Sequence, residues 1–268
     1  MIQVRPAAVS GSFYPRQRES LAHEVDSLLR TAKQPEPSIP KALIAPHAGY
    51  IYSGPIAANA YALLQAARAL IKRVILLGPA HFVSVRGLAV PEASAFATPL
   101  GMVPVDEACV ESISRLRQVV QSKAAHTPEH SLEVHLPFLQ IVLEKFTLVP
   151  LAVGDAAPAE IADVLDLVWG GPETLVVVSS DLSHYLPYET ARRLDQETAQ
   201  TILNMREPVS HHQACGASPV NGLLLAAQRH NLKPQLLDLR NSGDTAGNRS
   251  RVVGYAAFAF NESSVYVQ

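Results

Sequence analysis

The sequence predicts an α/β fold: a single domain over residues 1–268, with a central, mostly parallel or mixed sheet flanked by helices. Three observations carry this. Short apolar runs such as Ala42-Leu43-Ile44-Ala45 and Val74-Ile75-Leu76-Leu77 show no apolar–polar alternation, as strands buried on both faces do. Segments of helical period separate them. Hydrophobic residues make up 48% and charged residues 17% of 268 positions, enough apolar material for a substantial core.

The elements follow in order. Met1 to Pro6 lacks the charged-then-apolar pattern of a signal peptide. Gln17 to Lys33 predicts a helix. The proline-rich Gln34 to Pro40 reads as a connection within the domain, because the roughly 35 residues before it are too few for a core of their own. Ala42 to Ala45 is the first core strand, Pro55 to Leu70 an Ala-rich helix, and Val74 to Leu77 the second strand. Val103 to Val105 predicts a short strand, with helices over Asp106 to Gln121 and Leu132 to Lys145. Thr147 to Val153 is a strand, Ala159 to Trp169 a helix, and Thr174 to Val178 a strand rich in β-branched residues. Helices follow over Pro187 to Met205 and Val220 to Asn231. Gln235 to Leu239 and Val252 to Phe260 succeed each other without a helix, which predicts an antiparallel pair at one side of the sheet.

Composition excludes several function classes. Lys+Arg is 22 against Asp+Glu 24, so no basic footprint for nucleic acid exists. No apolar run is long enough to span a bilayer. Cys109 and Cys215 are too few for a disulfide framework and read as reduced thiols in a cytoplasmic protein. The phosphate-binding and nucleophile-elbow glycine motifs are absent, so no nucleotide cofactor is expected.

In open α/β sheets ligands bind beyond the carboxyl ends of the strands. The first strand ends in Pro46-His47, the second in Ala80-His81, and Thr174 to Val178 runs into Ser179-Ser180-Asp181-Leu182-Ser183-His184. One histidine after a strand is usually a loop or cap residue, but three at matching strand ends point to a shared site. Cys215 precedes a helical run whose N-terminus would stabilise its thiolate, making it a candidate third metal donor, whereas Cys109 reads as a core residue. Asp181 either orients His184, which would then act as acid or base, or caps the next helix. Glu129-His130-Ser131-Leu132-Glu133-Val134-His135 does not fit the zinc-protease pattern, and its His130, Glu133 and His135 are expected to contact ligand or support the site. His211 and His212 read as solvated surface.

Together these segments resemble the Memo family. The matching stretches are Ser10 to Tyr14, Ala45 to Ser53, Gly78 to Phe82, Glu129 to Pro137, Ser179 to Tyr185, and Cys215-Gly216 with Pro219, and they cover almost the whole chain. The resemblance implies a fold similar to the LigB-like class III extradiol dioxygenases, which are non-haem iron enzymes. It implies metal donors at His47, His81 and Cys215, working residues at Asp181 and His184, and Phe13 and Tyr52 lining the cleft. A thiolate in place of a carboxylate donor departs from the dioxygenases and suits Cu as well as Fe(II).

Three functions remain open. The first is a metal-dependent redox enzyme using Fe(II) or Cu. The second is a non-enzymatic module that binds a small molecule or peptide through Phe13, Tyr50, Tyr52 and Tyr185, or an accessory protein of a radical-SAM modification system. The third is metal-assisted hydrolysis. The oligomeric state is not encoded in any motif.

Overall fold

In a computed structural model, residues 3–33, 39–205 and 208–262 are described; most of the expected connection Gln34 to Pro40 lies outside them. The chain enters through β1 (Val4–Arg5) and α1 (Arg18–Thr31), then lays down β2 (Ala42–Ala45), α2 (Tyr50–Tyr61) and β3 (Arg73–Pro79). Three short strands follow: β4 (Leu88–Val90), β5 (Ala95–Thr98) and β6 (Gly101–Pro104). Then come α3 (Glu107–Ile113), β7 (Val119–Gln121), α4 (Lys123–His126), α5 (His130–Glu133) and α6 (Leu136–Val142). The rest is β8 (Thr147–Val153), α7 (Pro158–Val168), β9 (Thr174–Ser179), β10 (His184–Leu186), α8 (Tyr188–Asn204), α9 (Ala217–Arg229), β11 (Leu232–Asn241) and β12 (Val252–Glu262).

The main sheet is mixed. Its middle, β2-β9-β3-β8, is parallel throughout, with Leu43 opposite Val177 and Leu76 opposite Val177 and Pro150. β12 runs antiparallel to β2, and β10 and β11 each pair with β12 antiparallel, so the expected final pair stands where the sequence puts it. β4 and β7 extend the far side beyond β8, and β1, β5 and β6 form a separate small sheet. Every residue of β2 and β9 is buried, which is why those runs do not alternate. One core layer packs α1, α2 and α6 against one face, and a second packs α7, α8 and α9 against the other.

Several boundaries differ from the sequence expectation. α2 starts at Tyr50, five residues before Pro55, because the Tyr50 N–H donates to the Phe13 carbonyl and anchors the first turn from outside. Asp106 to Gln121 is not one helix: α3 ends at Ile113, and Val119–Gln121 pairs with β4. Leu132 to Lys145 splits into α5 and α6, the second opening on Pro137 in its first turn, where a missing N–H costs least. No helix among the described residues is long and apolar enough to cross a membrane.

Candidate metal centre

Because β2, β9 and β3 are adjacent and parallel, the residues that follow them meet at one sheet edge. His47, Asp181 and His81 arrive there from three strands. The fourth contributor is α5. It seats against β3 because Gly78 has no side chain: a Cβ there would lie 2.6 Å from the Ser131 hydroxyl. The fifth is the Cys215-Gly216 turn. Here a Cβ on Gly216 would lie 2.6 Å from the Ser179 carbonyl, so only glycine lets the cysteine approach the end of β9.

Hydrogen bonds fix the tautomers of two imidazoles. Ser179 donates its hydroxyl to the Ser131 carbonyl at 2.6 Å, so it accepts at 2.6 Å from Nδ1–H of His47. His47 therefore keeps a lone pair on Nε2. At His81, Nδ1 lies 2.9 Å from the Glu129 carboxylate, which can only accept, and Nε2 is again left with its lone pair. Glu129 also accepts from the backbone N–H groups of His81 and Ser131, at 2.6 and 2.9 Å. Burial alone would raise the Glu129 carboxyl, but these donors outweigh it and hold it at about 2. Glu129 stood in the sequence without an assigned role. Its signal was local: an acid at the N-cap of α5, directly before His130.

Ring nitrogens of His47, His81 and His130 lie within 4.8 Å of one another, a group able to hold a metal ion. His130 stacks on His81 at 4.8 Å between centroids and packs against Phe13 at 4.9 Å. Burial, reinforced by its two neighbours, holds His47 well below the ordinary imidazole range, and His130 is lowered first by burial. Both are thus neutral donors at pH 7. The donor chemistry fits a transition metal: imidazole lone pairs converge, and a carboxylate backs one of them.

Cys215 approaches the same centre. Its Sγ lies 3.5 Å from His47 Nε2 and 3.6 Å from the Asp181 carbonyl. The expected thiolate does not form on its own. Burial and the Asp181 charge push the thiol up to about 12, against which the N–H of Gly216 and the Ser180 hydroxyl count for less. A metal would have to displace its proton.

A cavity of about 810 Å³ opens onto this centre. His47, His81, His130, Asp181 and His184 line it, as do Phe13, Tyr52 and Tyr185. Two expected ligand contacts are corrected. Glu133 is 0% exposed and lies outside the cavity, ion-paired with Arg5 and bound to the Ala8 and Val9 N–H groups and the Tyr14 hydroxyl. His135 is 1% exposed and bonds Tyr61 through Nδ1 in the core, where burial, with a smaller push from His47, lowers it to about 3. Tyr50 is likewise buried, its hydroxyl donating to the Val134 carbonyl. Asp181 accepts from the His47 N–H at 2.8 Å, whereas His184 is oriented by the Leu182 carbonyl, also 2.8 Å from its Nδ1. So Asp181 positions the His47 loop, and the His184 ring is held by backbone. Cys109 is half-buried and packs beside the second core layer, and both cysteines are free. His211 and His212 are exposed, as expected, with His211 lying 3.3 Å from the Ser218 hydroxyl.

Comparison with known proteins agrees with the motif reading. A family profile described as "Memo-like protein" matches residues 5–259. The chain belongs to the Memo family. A MEMO1 family protein of Aquifex aeolicus is 35% identical, over 97% of this chain and 100% of its own length. One from Methanosarcina barkeri is 32% identical over 95% and 98%, and one from Thermotoga maritima 35% over 94% and 97%. Among solved structures, an uncharacterized protein of Escherichia coli K12 superposes with a TM-score of 0.49 at 14% identity, covering 81% of this chain and 99% of that one. Within this Memo chain, the stretches that carry the family resemblance are those that fold into the cavity and its supports: Ser10 to Tyr14 contributes Phe13, and Glu129 to Pro137 contributes both Glu129 and His130.

Proposed function

We propose that this Memo protein is a metal-dependent redox enzyme whose ion, Fe(II) or Cu, is held by His47 and His81 and completed by Cys215, with His130 as the competing third donor. The observation that supports it most directly is the commitment of both Nδ1–H groups, to Ser179 and Glu129, which leaves two Nε2 lone pairs for one ion. A bound redox ion would supply electron transfer to or from a ligand in the cavity. His184 is the acid or base: its Nδ1 is held by a backbone carbonyl and its ring lines the cavity, so Nε2 is the atom that takes or gives a proton. Asp181 keeps the His47 backbone in place. Two unpaired cysteines favour a reducing compartment, the cytoplasm.

The test is elemental analysis of anaerobically prepared protein beside the His47→Ala, Cys215→Ala and His130→Ala variants. About one Fe or Cu per chain is expected, lost in His47→Ala and in whichever third-donor variant removes a true ligand. Folded wild-type protein that takes up neither metal on reconstitution would sink the reading.

A non-enzymatic binding module is the second reading, and the aromatic lining of the cavity by Phe13, Tyr52 and Tyr185 favours it. Undiminished ligand binding and cellular function without the metal donors would select it.

A further inference from the structure

The cavity has a second wall, built from β10, the first residues of β12 and the loop that joins β11 to β12. This wall is stiff. Within the loop, the Gly247 N–H donates to the Ser242 carbonyl at 2.7 Å, the Asn241 N–H to Asp244 at 3.0 Å, and the Val253 N–H to the Ser242 hydroxyl at 3.1 Å. Asp244 also accepts from the Tyr188 hydroxyl at 2.6 Å, and the Arg249 guanidinium lies 4.5 Å from the centroid of the Tyr188 ring.

Two residues of the wall stand out. Tyr185 has φ 58°, left-handed backbone that a bulky side chain rarely adopts. The other two such non-glycine residues among those described, Met205 and Asn231, sit at helix ends, where this conformation is ordinary. Tyr185 instead sits where the β10–β12 register slips, the residue 62% exposed and lining the cavity. Above that ring, at 5.2 Å from its centroid, is the guanidinium of Arg251, which also lines the cavity. Arg251 is exposed, and among the described residues no carboxylate lies within ion-pair reach of it. Among the described residues the single acid on the cavity wall, Asp181, is buried and accepts from the His47 N–H.

We infer that Arg251 binds the carboxylate of an aromatic carboxylic acid, the ligand class on which the metal centre acts, while Tyr185, Tyr52 and Phe13 hold its ring. The substrate role rests on the redox reading of the cavity; the binding role does not. A guanidinium stacked on a ring presents a planar fork of donors that matches a carboxylate. A phosphate dianion would call for further donors, and the N–H groups of Asn241, Gly247 and Val253 beside it are already bonded to Asp244 and Ser242.

The experiment is calorimetric titration of wild type, Arg251→Gln, Arg251→Lys and Tyr185→Ala with benzoate, its neutral isostere benzamide, and phenyl phosphate, with metal content measured on each sample. Wild type should bind benzoate at least about tenfold tighter than benzamide, the margin expected of one charge-assisted pair. Arg251→Gln should abolish that preference and Arg251→Lys keep part of it. Tyr185→Ala should weaken acid and amide alike. Equal binding of acid and amide by wild type, no binding of either, or a preference that survives Arg251→Gln overturns the inference. Tighter binding of phenyl phosphate than of benzoate overturns the carboxylate assignment. Metal content reports separately on the redox reading, since Arg251 lies outside the donor set.

Discussion

Glu129-His130 and Glu133-Val134-His135 are two acid–histidine groups within one seven-residue stretch, and they do opposite work. Glu129 faces the sheet edge, accepts from His81 three ways with Ser131, and precedes a histidine that lies on the cavity. One helical turn later Glu133 faces away, toward Arg5, Ala8, Val9 and Tyr14, and His135 sinks into the core beside Tyr61. The first group tunes a prospective metal donor. The second pins the N-terminal segment that carries Phe13 to the cavity. Side-chain chemistry is the same in both, so the role is set by what each turn of Glu129 to His135 is packed against.

The strongest way to break this comparison is at Glu133. Its carboxylate is buried with Arg5 as its ionic partner, and Arg5 also donates to the carbonyls of His126 and Glu129. Glu133→Gln leaves the guanidinium buried without a counter-charge, which costs about 3–5 kcal/mol in comparable cases. Denaturant unfolding should report that loss, while the fraction that remains folded keeps the metal content of wild type. A loss below about 1 kcal/mol would mean that the N-terminal segment is not held in this way.

Glu129 should respond in the other direction. Glu129→Gln removes the negative charge behind His81 and keeps one of the two acceptor oxygens; with no buried guanidinium left without a counter-charge, stability should fall less than in Glu133→Gln. Metal affinity should drop roughly 10–100-fold, the usual effect of losing a carboxylate behind a ligating histidine. Competition against a chelator of known affinity measures it. An unchanged affinity would remove His81 from the donor set.

Sequence reading reached the sheet because its evidence is local. The runs Ala42 to Ala45 and Thr174 to Val178 state their burial in their own residues, and the residue after each strand is fixed once the strands are parallel. His47, His81 and Asp181 were legible for that reason. α5 was not. Glu129, Glu133, His130 and His135 differ in role through contacts with Arg5, Tyr61 and His81, which are distant in sequence. The same holds for β7, whose residues Val119–Gln121 look like the tail of a helix until β4 pairs with them. Arg251 escaped notice because nothing local marks it: its place over the Tyr185 ring on the cavity wall arises only in the packed chain.

The smallest effect at neutral pH, and the finest separation of the two groups, belongs to His135. Burial first, and His47 second, lower its pKa to about 3 from the ordinary 6.5. A histidine kept neutral in the folded state stabilises the protein above its unfolded pKa, and that contribution is lost as pH falls from 6.5 toward about 3. Between pH 7 and pH 5 the loss attributable to this one group is at most about 2 kcal/mol. His135→Gln keeps a hydrogen-bonding partner for Tyr61 but cannot take up a proton. Near pH 7 it should therefore lie within about 1 kcal/mol of wild type, the worth of one hydrogen bond. The gap should then close or reverse as pH falls to 5, because only wild type pays the protonation cost. The other buried histidines, His47 and His126, are present in both proteins and cancel in the difference. Stability curves measured at the two pH values decide it: a difference that does not change with pH would show that His135 is not a neutral core residue, and the division of labour along α5 would have to be redrawn.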